Sequence, residues 1–231
     1  MTALRPSRFF PPAEEAGRQG LVGVGGELSI EWLVDAYCHG IFPWPTGDER
    51  LAWWSPNPRA TIERGELHIA RRLRRTWRSG RFEVTCDRDF RGTISGCATA
   101  QVRRDNTWIT PQMMAAYCHL HEAGFAHSVE VWHAGELAGG IYGVAIGGMF
   151  AGESMFYRVR DASKIALVNL AGHLEARGYQ LFDIQQLTPH SERLGAALIP
   201  RNKFLQRVAA AIELPITFGS QLLGSEIWQR E

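Results

Sequence analysis

The segment from residue 128 to residue 185 constrains the fold most, because its hydrophobic periodicity changes from strand-like to helical and back. Three strand-like segments joined by glycine-bearing turns come first: residues 128–133, 138–146 and 149–157. Residues 162–176 then predict a long helix that Gly178 ends, and residues 181–185 predict a buried strand. Strands, a helix and a further strand in this order predict an α+β or mixed α/β core.

The first sixty residues predict irregular structure around one short helix. Residues 1–20 are rich in proline, glycine and charge, which is typical of an irregular arm. Ser29 suits a helix N-cap and Gly40 suits the position after a helix, so a helix is expected over residues 30–39. Residues 41–60 contain four prolines and three tryptophans, which predict a stiff loop with an aromatic surface.

Thr110 and Pro111 begin one predicted helix, which Gly124 ends, and residues 66–79 predict an amphipathic basic helix that Gly80 ends. Its apolar arc contains Leu67, Ala70, Leu73 and Trp77, and its basic arc contains Arg71, Arg72, Arg75 and Arg78, with Arg74 at the border. The formal net charge of the whole chain is only +1, so binding to nucleic acid requires a local patch of this kind. A solvated surface is the alternative interpretation of the arginines.

Composition excludes several classes of site. No apolar run approaches the roughly 20 residues that span a bilayer, and no secretion signal is present, so a cytoplasmic protein without a membrane partner is expected. The four cysteines form no C-x-x-C pair and are expected to be free thiols. Cys118, His119 and His121 do not share a helical face, so no metal site is expected, and no cofactor motif appears.

Polar side chains interrupt two of the predicted apolar strands. Asp183 and Gln185 are two residues apart on the predicted strand 181–185, so both are expected on one face, with Phe182 and Ile184 on the other. Glu153 lies on another predicted strand. A satisfied polar pair in the core and a catalytic cleft are both compatible with this spacing.

The chain resembles the leucyl/phenylalanyl-tRNA–protein transferase family in a series of motifs, which occur here in the same order as in that family. These motifs are Gly23–Ser29, Ala36–Trp44, Trp53–Arg59, Thr107–Thr110, His127–Trp132, Gly139–Val144, Gly152–Phe156, Ala162–Lys164 and Asp183–Gln185. The resemblance implies an α+β protein with a small N-terminal domain, residues 1–62, and a larger acetyltransferase-like (GNAT-like) domain with a mixed sheet, residues 63–231.

The resemblance also implies the reaction. Leucine or phenylalanine, and less well methionine, would pass from aminoacyl-tRNA to the N-terminal α-amine of proteins that begin with arginine or lysine, marking them for degradation. The ester bond of aminoacyl-tRNA is already activated, so the reaction requires neither ATP nor a metal.

The same resemblance implies roles for individual residues. Asp183 and Gln185 would lie at the reacting centre, and Glu153 would hold the aminoacyl group. Trp44 and Trp108 would sandwich the terminal adenine. The apolar side-chain pocket would consist of Ile141, Phe150, Leu167, Leu170 and Phe182, and the tRNA acceptor stem would contact Arg71, Arg74, Arg75 and Arg78.

Two mechanisms remain open at the level of sequence. In the first, the Gln185 amide oxygen accepts a hydrogen bond from the amine while Asp183 polarises or orients Gln185. In the second, hydroxyl groups of the tRNA carry the proton, and Asp183 and Gln185 only position the amine. Glu153 and Asp183 are also candidates for attracting a cationic acceptor N-terminus.

Two other functions compete with this interpretation. An acyl-CoA-dependent N-acyltransferase would suit the fold, but residues 158–163 lack the glycines that seat a pyrophosphate before a helix. A non-catalytic RNA-binding module would suit the arginines and tryptophans alone, but it has no need of an apolar cleft beside Asp183 and Gln185.

Overall fold

Two β-sheets organise the protein in the computed structural model, which describes residues 4–17, 19–45, 50–100 and 107–230. The strands are β1 Leu21–Val24, β2 Phe42–Pro43, β3 Ala52–Trp54, β4 Arg59–Ile62, β5 Phe82–Cys86, β6 Ala126–His133, β7 Glu136–Ile146, β8 Met149–Tyr157, β9 Leu181–Asp183 and β10 Ala196–Ile199. The helices are α1 Ile30–Cys38, α2 Arg71–Arg78, α3 Phe90–Thr99, α4 Pro111–Glu122, α5 Ala162–Arg177, α6 Pro189–Glu192 and α7 Arg201–Ala211.

The larger sheet has seven strands in the order β10-β4-β9-β8-β7-β6-β5. The pair β8–β9 is parallel, with α5 as the connection between its strands, and the other pairs are antiparallel. The smaller sheet contains β1, β3 and β2. The predicted α+β class, with a mixed sheet and a small N-terminal unit, is confirmed.

Local sequence signals determine where the helices begin and end. The Ser29 hydroxyl accepts a hydrogen bond from the Trp32 backbone N–H at 3.4 Å, and the Thr110 hydroxyl accepts one from Met113 at 3.2 Å. Gly40 has a φ of +68° after α1, and Gly178 has a φ of +89° after α5. These left-handed positions favour glycine, and both predicted helix ends are confirmed.

Hydrophobic cores cover both faces of the seven-stranded sheet. One core joins the sheet to α1, α4 and α7, with Tyr37, Tyr117 and Phe204 fully buried. The other joins it to α5, whose side chains from Ala162 to Leu174 are almost all buried. Burial on nearly every side explains why α5 lacks an amphipathic pattern, since a helix enclosed in a core has no solvent face.

Two predicted element boundaries are wrong, and the helices α3 and α6 lacked a prediction. The predicted loop over residues 41–60 contains the short strands β2 and β3. Residues 66–70 are not helical, because the His68 backbone N–H bonds to the Leu194 carbonyl and Ile69 enters the core. The helix therefore begins at Arg71. Strand β9 ends at Asp183 rather than Gln185. Helix α3 contains two glycines and four Ser, Thr or Cys residues, which weaken a helical pattern.

The division of the chain at residue 62 stays a prediction. Strand β4, which ends at Ile62, pairs with β9 and β10 in the seven-stranded sheet. Within the described ranges, no helix combines the length and apolar composition needed to cross a membrane.

Candidate active site

A cleft of about 720 Å³ opens where β8 and β9 approach the N-terminus of α5. The parallel register places Ala151 beside Asp183, so Glu153 and Gln185, each two residues further on, meet at the end of the pair. Both line the cleft, and the Gln185 side-chain N–H donates to Glu153 Oε1 at 3.0 Å. Two concavities of about 670 and 710 Å³ lie under the N-terminal arm and contain neither residue.

Gln185 adopts a left-handed backbone conformation, with a φ of +57°. This conformation is uncommon for a residue with a side chain and needs support from its surroundings. Asp183 provides it, since Asp183 Oδ1 accepts a hydrogen bond from the Gln185 backbone N–H at 3.0 Å. The two side chains therefore do not share a strand face, and the basis of that prediction is wrong, although Gln185 does reach the cleft.

Arg59 holds the Asp183 carboxylate in a buried, two-point ion pair. Arg59 Nε donates to Oδ1 at 2.8 Å and Arg59 Nη2 donates to Oδ2 at 2.7 Å, and each residue is only 1% exposed. The guanidinium also donates to the Gly40 carbonyl at 3.1 Å and lies over the rings of Phe42 and Phe204. Asp183 therefore contacts the Gln185 backbone rather than its side chain.

Two buried tyrosines complete the hydrogen bonds around Glu153. Tyr117 Oη donates to Glu153 Oε2 at 3.0 Å, and the hydroxyls of Tyr37 and Tyr117 are 2.6 Å apart. Burial raises the pKa of Glu153 to about 7, because hydrogen bonds from the two tyrosines only partly offset the loss of hydration. Burial and the Glu153 charge raise the tyrosine pKa values, so both hydroxyls remain protonated.

This arrangement suits proton transfer at neutral pH. A carboxyl with a pKa near 7 exists in both protonation states there and can accept a proton. The Gln185 side-chain N–H is used by Glu153, which leaves the amide oxygen of Gln185 without a donor among the described residues. Asp183 is enclosed and paired with Arg59, so of the two predicted acidic candidates only Glu153 is available to a cation in the cleft.

The apolar pocket residues divide into two layers. Ile141 and Leu167 line the cleft, together with Ile62 and Ile184. Phe150, Leu170 and Phe182 do not line it but pack beside Ile141 and Leu167 in one core cluster. Phe150, Leu170 and Phe182 thus support the wall of the cleft from the core.

Trp44 and Trp108 lie together, as the resemblance implies, but their rings are in direct contact. The ring centroids are 4.6 Å apart with an interplanar angle of 20°. Trp44 is 39% exposed and lines the cleft, whereas Trp108 is buried behind it. With the two rings in contact, the structure leaves no space between them for a base.

The basic helix α2 presents most of its arginines to solvent. Arg71, Arg75 and Arg78 are exposed and have no side-chain partner within the described part of the chain. Arg74 differs, because it donates to the carbonyls of Ile69 and Trp228 at 3.3 and 2.9 Å and so secures the C-terminal segment.

One histidine cluster lies outside the cleft. Asp87, His121 and His127 place their potential metal-binding atoms within 4.8 Å of one another. Each is already hydrogen-bonded, with His127 Nδ1 2.7 Å from Asp87 Oδ2 and His121 Nδ1 2.8 Å from the Ala126 carbonyl. This set differs from Cys118, His119 and His121, the residues that the sequence suggested as possible metal ligands and that were excluded because they do not share a helical face. The four cysteines are free thiols.

Sequence reasoning missed three residues of the site. Arg59 belongs to one of the motifs, but the resemblance implies no function for it. The sequence places Tyr37 and Tyr117 within predicted helices and gives no sign that they contact the site. Each lies on an element that looked structural, and the contacts that unite them span from 36 to 124 residues. The place of Arg59 at the end of the motif Trp53–Arg59 was the one signal available in the sequence.

Comparison with known proteins decides the family. The model of the leucyl/phenylalanyl-tRNA protein transferase family matches residues 61–209, and the model of its N-terminal domain matches residues 26–57. The chain belongs to the leucyl/phenylalanyl-tRNA–protein transferase family. It is an enzyme, an aminoacyltransferase that acts on proteins.

Relatives named leucyl/phenylalanyl-tRNA–protein transferase match nearly the whole chain. The protein of Chromohalobacter salexigens is 50% identical over 90% of this chain and 82% of its own length. That of Magnetococcus marinus is 50% identical over 91% of both chains. That of Syntrophobacter fumaroxidans is 48% identical over 96% of this chain and 93% of its own.

Solved structures similar to this fold are distant in sequence. A ribosomal-protein-alanine N-acetyltransferase from Brucella melitensis aligns with 48% of this chain and 86% of its own, at 20% identity and a TM-score of 0.34. A conserved protein of unknown function from Bacteroides thetaiotaomicron aligns with 72% of this chain and 57% of its own, at 12% identity and a TM-score of 0.42. Likeness at this level says nothing about the reaction.

Proposed function

We propose that the chain transfers leucine or phenylalanine, and less well methionine, from aminoacyl-tRNA to the N-terminal α-amine of proteins that begin with arginine or lysine. The reaction would take place in the cytoplasm, where charged tRNA is made, and would mark the acceptor for degradation. The observation that carries the proposal is the contact between Gln185 and Glu153 at the end of an apolar cleft, in a chain of this family.

The donor fits the apolar part of the cleft. The leucine or phenylalanine side chain contacts Ile141 and Leu167, with Phe150, Leu170 and Phe182 supporting them from the core. An apolar pocket separates side chains by only about 1–3 kcal/mol per methylene, so acceptance of two large residues is reasonable. Exclusion of β-branched residues requires a shape constraint near the backbone of the donor.

The acceptor amine fits the polar end. An α-amine has a pKa of about 7.7–8.0, so roughly a tenth is neutral at pH 7. The Gln185 amide oxygen accepts a hydrogen bond from this amine and directs its lone pair to the ester carbon. As the amide bond forms, Glu153 accepts a proton from the amine and passes it to the tRNA 3′ oxygen, whose ester bond to the aminoacyl group breaks, so that the tRNA leaves with a free 3′ hydroxyl. The second mechanism, proton transfer by tRNA hydroxyls, is separated from this one by the Glu153 variant discussed below.

A donor and acceptor competition tests the proposal. Purified enzyme is offered tRNAs charged with leucine, phenylalanine, methionine or valine, and peptides that begin with arginine, lysine or alanine. Among the donors, we expect leucine and phenylalanine to be transferred fastest, then methionine, with valine slowest. Among the acceptors, we expect transfer to the arginine and lysine peptides to be at least about tenfold faster than to the alanine peptide, because an ionised Glu153 attracts the cationic side chain of their first residue. Equal transfer to the alanine peptide would contradict the acceptor assignment, and equal use of valine would contradict the pocket.

The adenine platform has a test of its own. Replacing Trp44 by alanine is expected to raise KM for aminoacyl-tRNA by roughly 5–100-fold, since stacking of a base on an aromatic ring contributes about 1–3 kcal/mol. Trp44→Phe retains a stacking surface and serves as the matched control. The measurement is steady-state transfer kinetics, and an unchanged KM for Trp44→Ala would place the adenine elsewhere.

A further inference from the structure

We propose that a basic rim of the cleft, formed by Arg160, Ser163 and Lys164, binds a backbone phosphodiester next to the 3′-terminal nucleotide of the donor. This inference rests on the proposed function, because it names the part of the tRNA that these residues recognise. None of the three belongs to the residues for which the family resemblance implies a role.

Uncompensated charge is the first observation. Arg160 and Lys164 line the cleft, and among the described residues no carboxylate pairs with either. The carboxylate adjacent to them, Asp161, is bound by Arg72 at 3.0 and 3.2 Å. His190, also in the cleft, has its pKa lowered by burial and by the charges of Lys164 and Arg193, so it is neutral at neutral pH and leaves the charge of the rim unchanged. The rim therefore has a net positive charge in neutral solution.

Unused hydrogen-bond donors are the second observation. Ser163 is only 6% exposed, lines the cleft, and has no side-chain partner in the part of the chain that the structure describes. It lies in the first turn of α5, a helix of 16 residues whose N-cap residue Asp161 makes no capping hydrogen bond. The backbone N–H groups of Ser163 and Lys164 thus belong to a helix N-terminus beside the cleft and have no acceptor among the residues that the structure describes, which favours an anion.

Charge then decides which of the two substrates this rim faces. The acceptor of the proposed reaction has a cationic N-terminus, which Arg160 and Lys164 repel, whereas the donor has phosphates, which they attract. Lys164 lies one helical turn before Leu167 of the aminoacyl pocket. The 5′ phosphate and the 3′ ester of the terminal nucleotide share one ribose, so one cleft must hold both. The rim thereby places the donor along α5 and leaves the Glu153 end for the acceptor.

Donors with and without a phosphate test this assignment. Phenylalanyl-adenosine contains no phosphate, whereas the phenylalanyl ester of cytidylyl-adenosine contains one phosphodiester. We expect Lys164→Met to raise KM for the dinucleotide ester about tenfold, the usual size of a lost charge-assisted hydrogen bond, and to leave KM for phenylalanyl-adenosine within about twofold. kcat should stay within about twofold for both donors. Lys164→Arg, which keeps the charge, should restore the lower KM.

The chain has a matched control, because its only other lysine is Lys203, an exposed residue of α7 outside the cleft. Lys203→Met should leave both KM values unchanged. Equal effects of Lys164→Met on the two donors, or no effect on the dinucleotide ester, would overturn the inference. Competition by coenzyme A as strong as that by cytidylyl-adenosine would also overturn it, since the rim would then serve a pyrophosphate cofactor.

Binding of uncharged cytidylyl-adenosine, measured by calorimetry, separates this inference from the proposed function. Lys164→Met should weaken that binding about tenfold and leave adenosine binding unchanged, whether or not transfer occurs. Absence of transfer by a wild-type enzyme that shows this difference would contradict the proposed function alone. Transfer without the difference would contradict the phosphate site alone.

Discussion

Replacing Arg59 by methionine is expected to lower the free energy of unfolding by about 3–5 kcal/mol, because it leaves the Asp183 carboxylate buried without its partner. Methionine keeps an aliphatic side chain in the core but also removes the guanidinium from the rings of Phe42 and Phe204, which adds to the loss. Urea denaturation followed by tryptophan fluorescence measures the change. Transfer should fall as well, because Asp183 would no longer hold Gln185 in its left-handed conformation.

Two further variants identify the cause. Arg207→Met removes a similar two-point pair with Glu63, but those side chains are about one-third exposed, so we expect a loss below about 1 kcal/mol. Adding Asp183→Asn to Arg59→Met removes the buried charge while keeping an acceptor for the Gln185 backbone, and should recover part of the stability. A loss for Arg59→Met no greater than that for Arg207→Met would contradict the buried pair.

Replacing Glu153 by glutamine is expected to stabilise the fold above pH 7 while it slows transfer about 100-fold. The pKa of Glu153 rises from 4.5 to about 7 on folding, so the folded state binds an extra proton between these values. The contribution of this group to stability is therefore present below pH 4.5 and is lost as the pH rises toward 7. At pH 8 the variant should gain up to about 3 kcal/mol, less to the extent that water reaches the cleft.

The pH profile of transfer separates the two proposed mechanisms. If Glu153 accepts the proton, log kcat/KM rises through a pKa near 7 in the wild type, and this arm disappears in Glu153→Gln. The arm from the acceptor amine, near pH 8, remains in both enzymes. Wild-type rates and an unchanged profile in Glu153→Gln would assign proton transfer to the tRNA hydroxyls instead.

The sequence predicted elements well where the signal was local. Hydroxyl caps at Ser29 and Thr110, and glycines at residues 40 and 178, determine helix ends through contacts within a few residues, and these ends were correct. The strands β6, β7 and β8 were also evident, because each has at least eight residues and glycine-bearing turns separate them. Residues 66–70 failed because their backbone bonds to Leu194, more than 120 residues away, which no local pattern reveals.

The site was predictable only in part, for the same reason. The polar residues Glu153, Asp183 and Gln185 stood out against apolar strands, but the expected shared face of Asp183 and Gln185 does not exist. Gln185 reaches Glu153 through a left-handed turn that depends on Asp183, and Asp183 depends on Arg59 in β4. Such a chain of contacts joins distant segments and requires the strand register, which a single sequence does not provide.

Transfer of radiolabelled leucine from charged tRNA to a protein that begins with arginine, with wild type and Gln185→Ala compared, tests the central claim most directly. We expect transfer by the wild type and at least about a 100-fold reduction in Gln185→Ala, since the amine loses its acceptor and Glu153 loses its partner. Gln206→Ala, on the exposed face of α7, should match the wild type. A folded Gln185→Ala enzyme with near wild-type transfer would contradict the site, and no transfer by folded wild type would contradict the function.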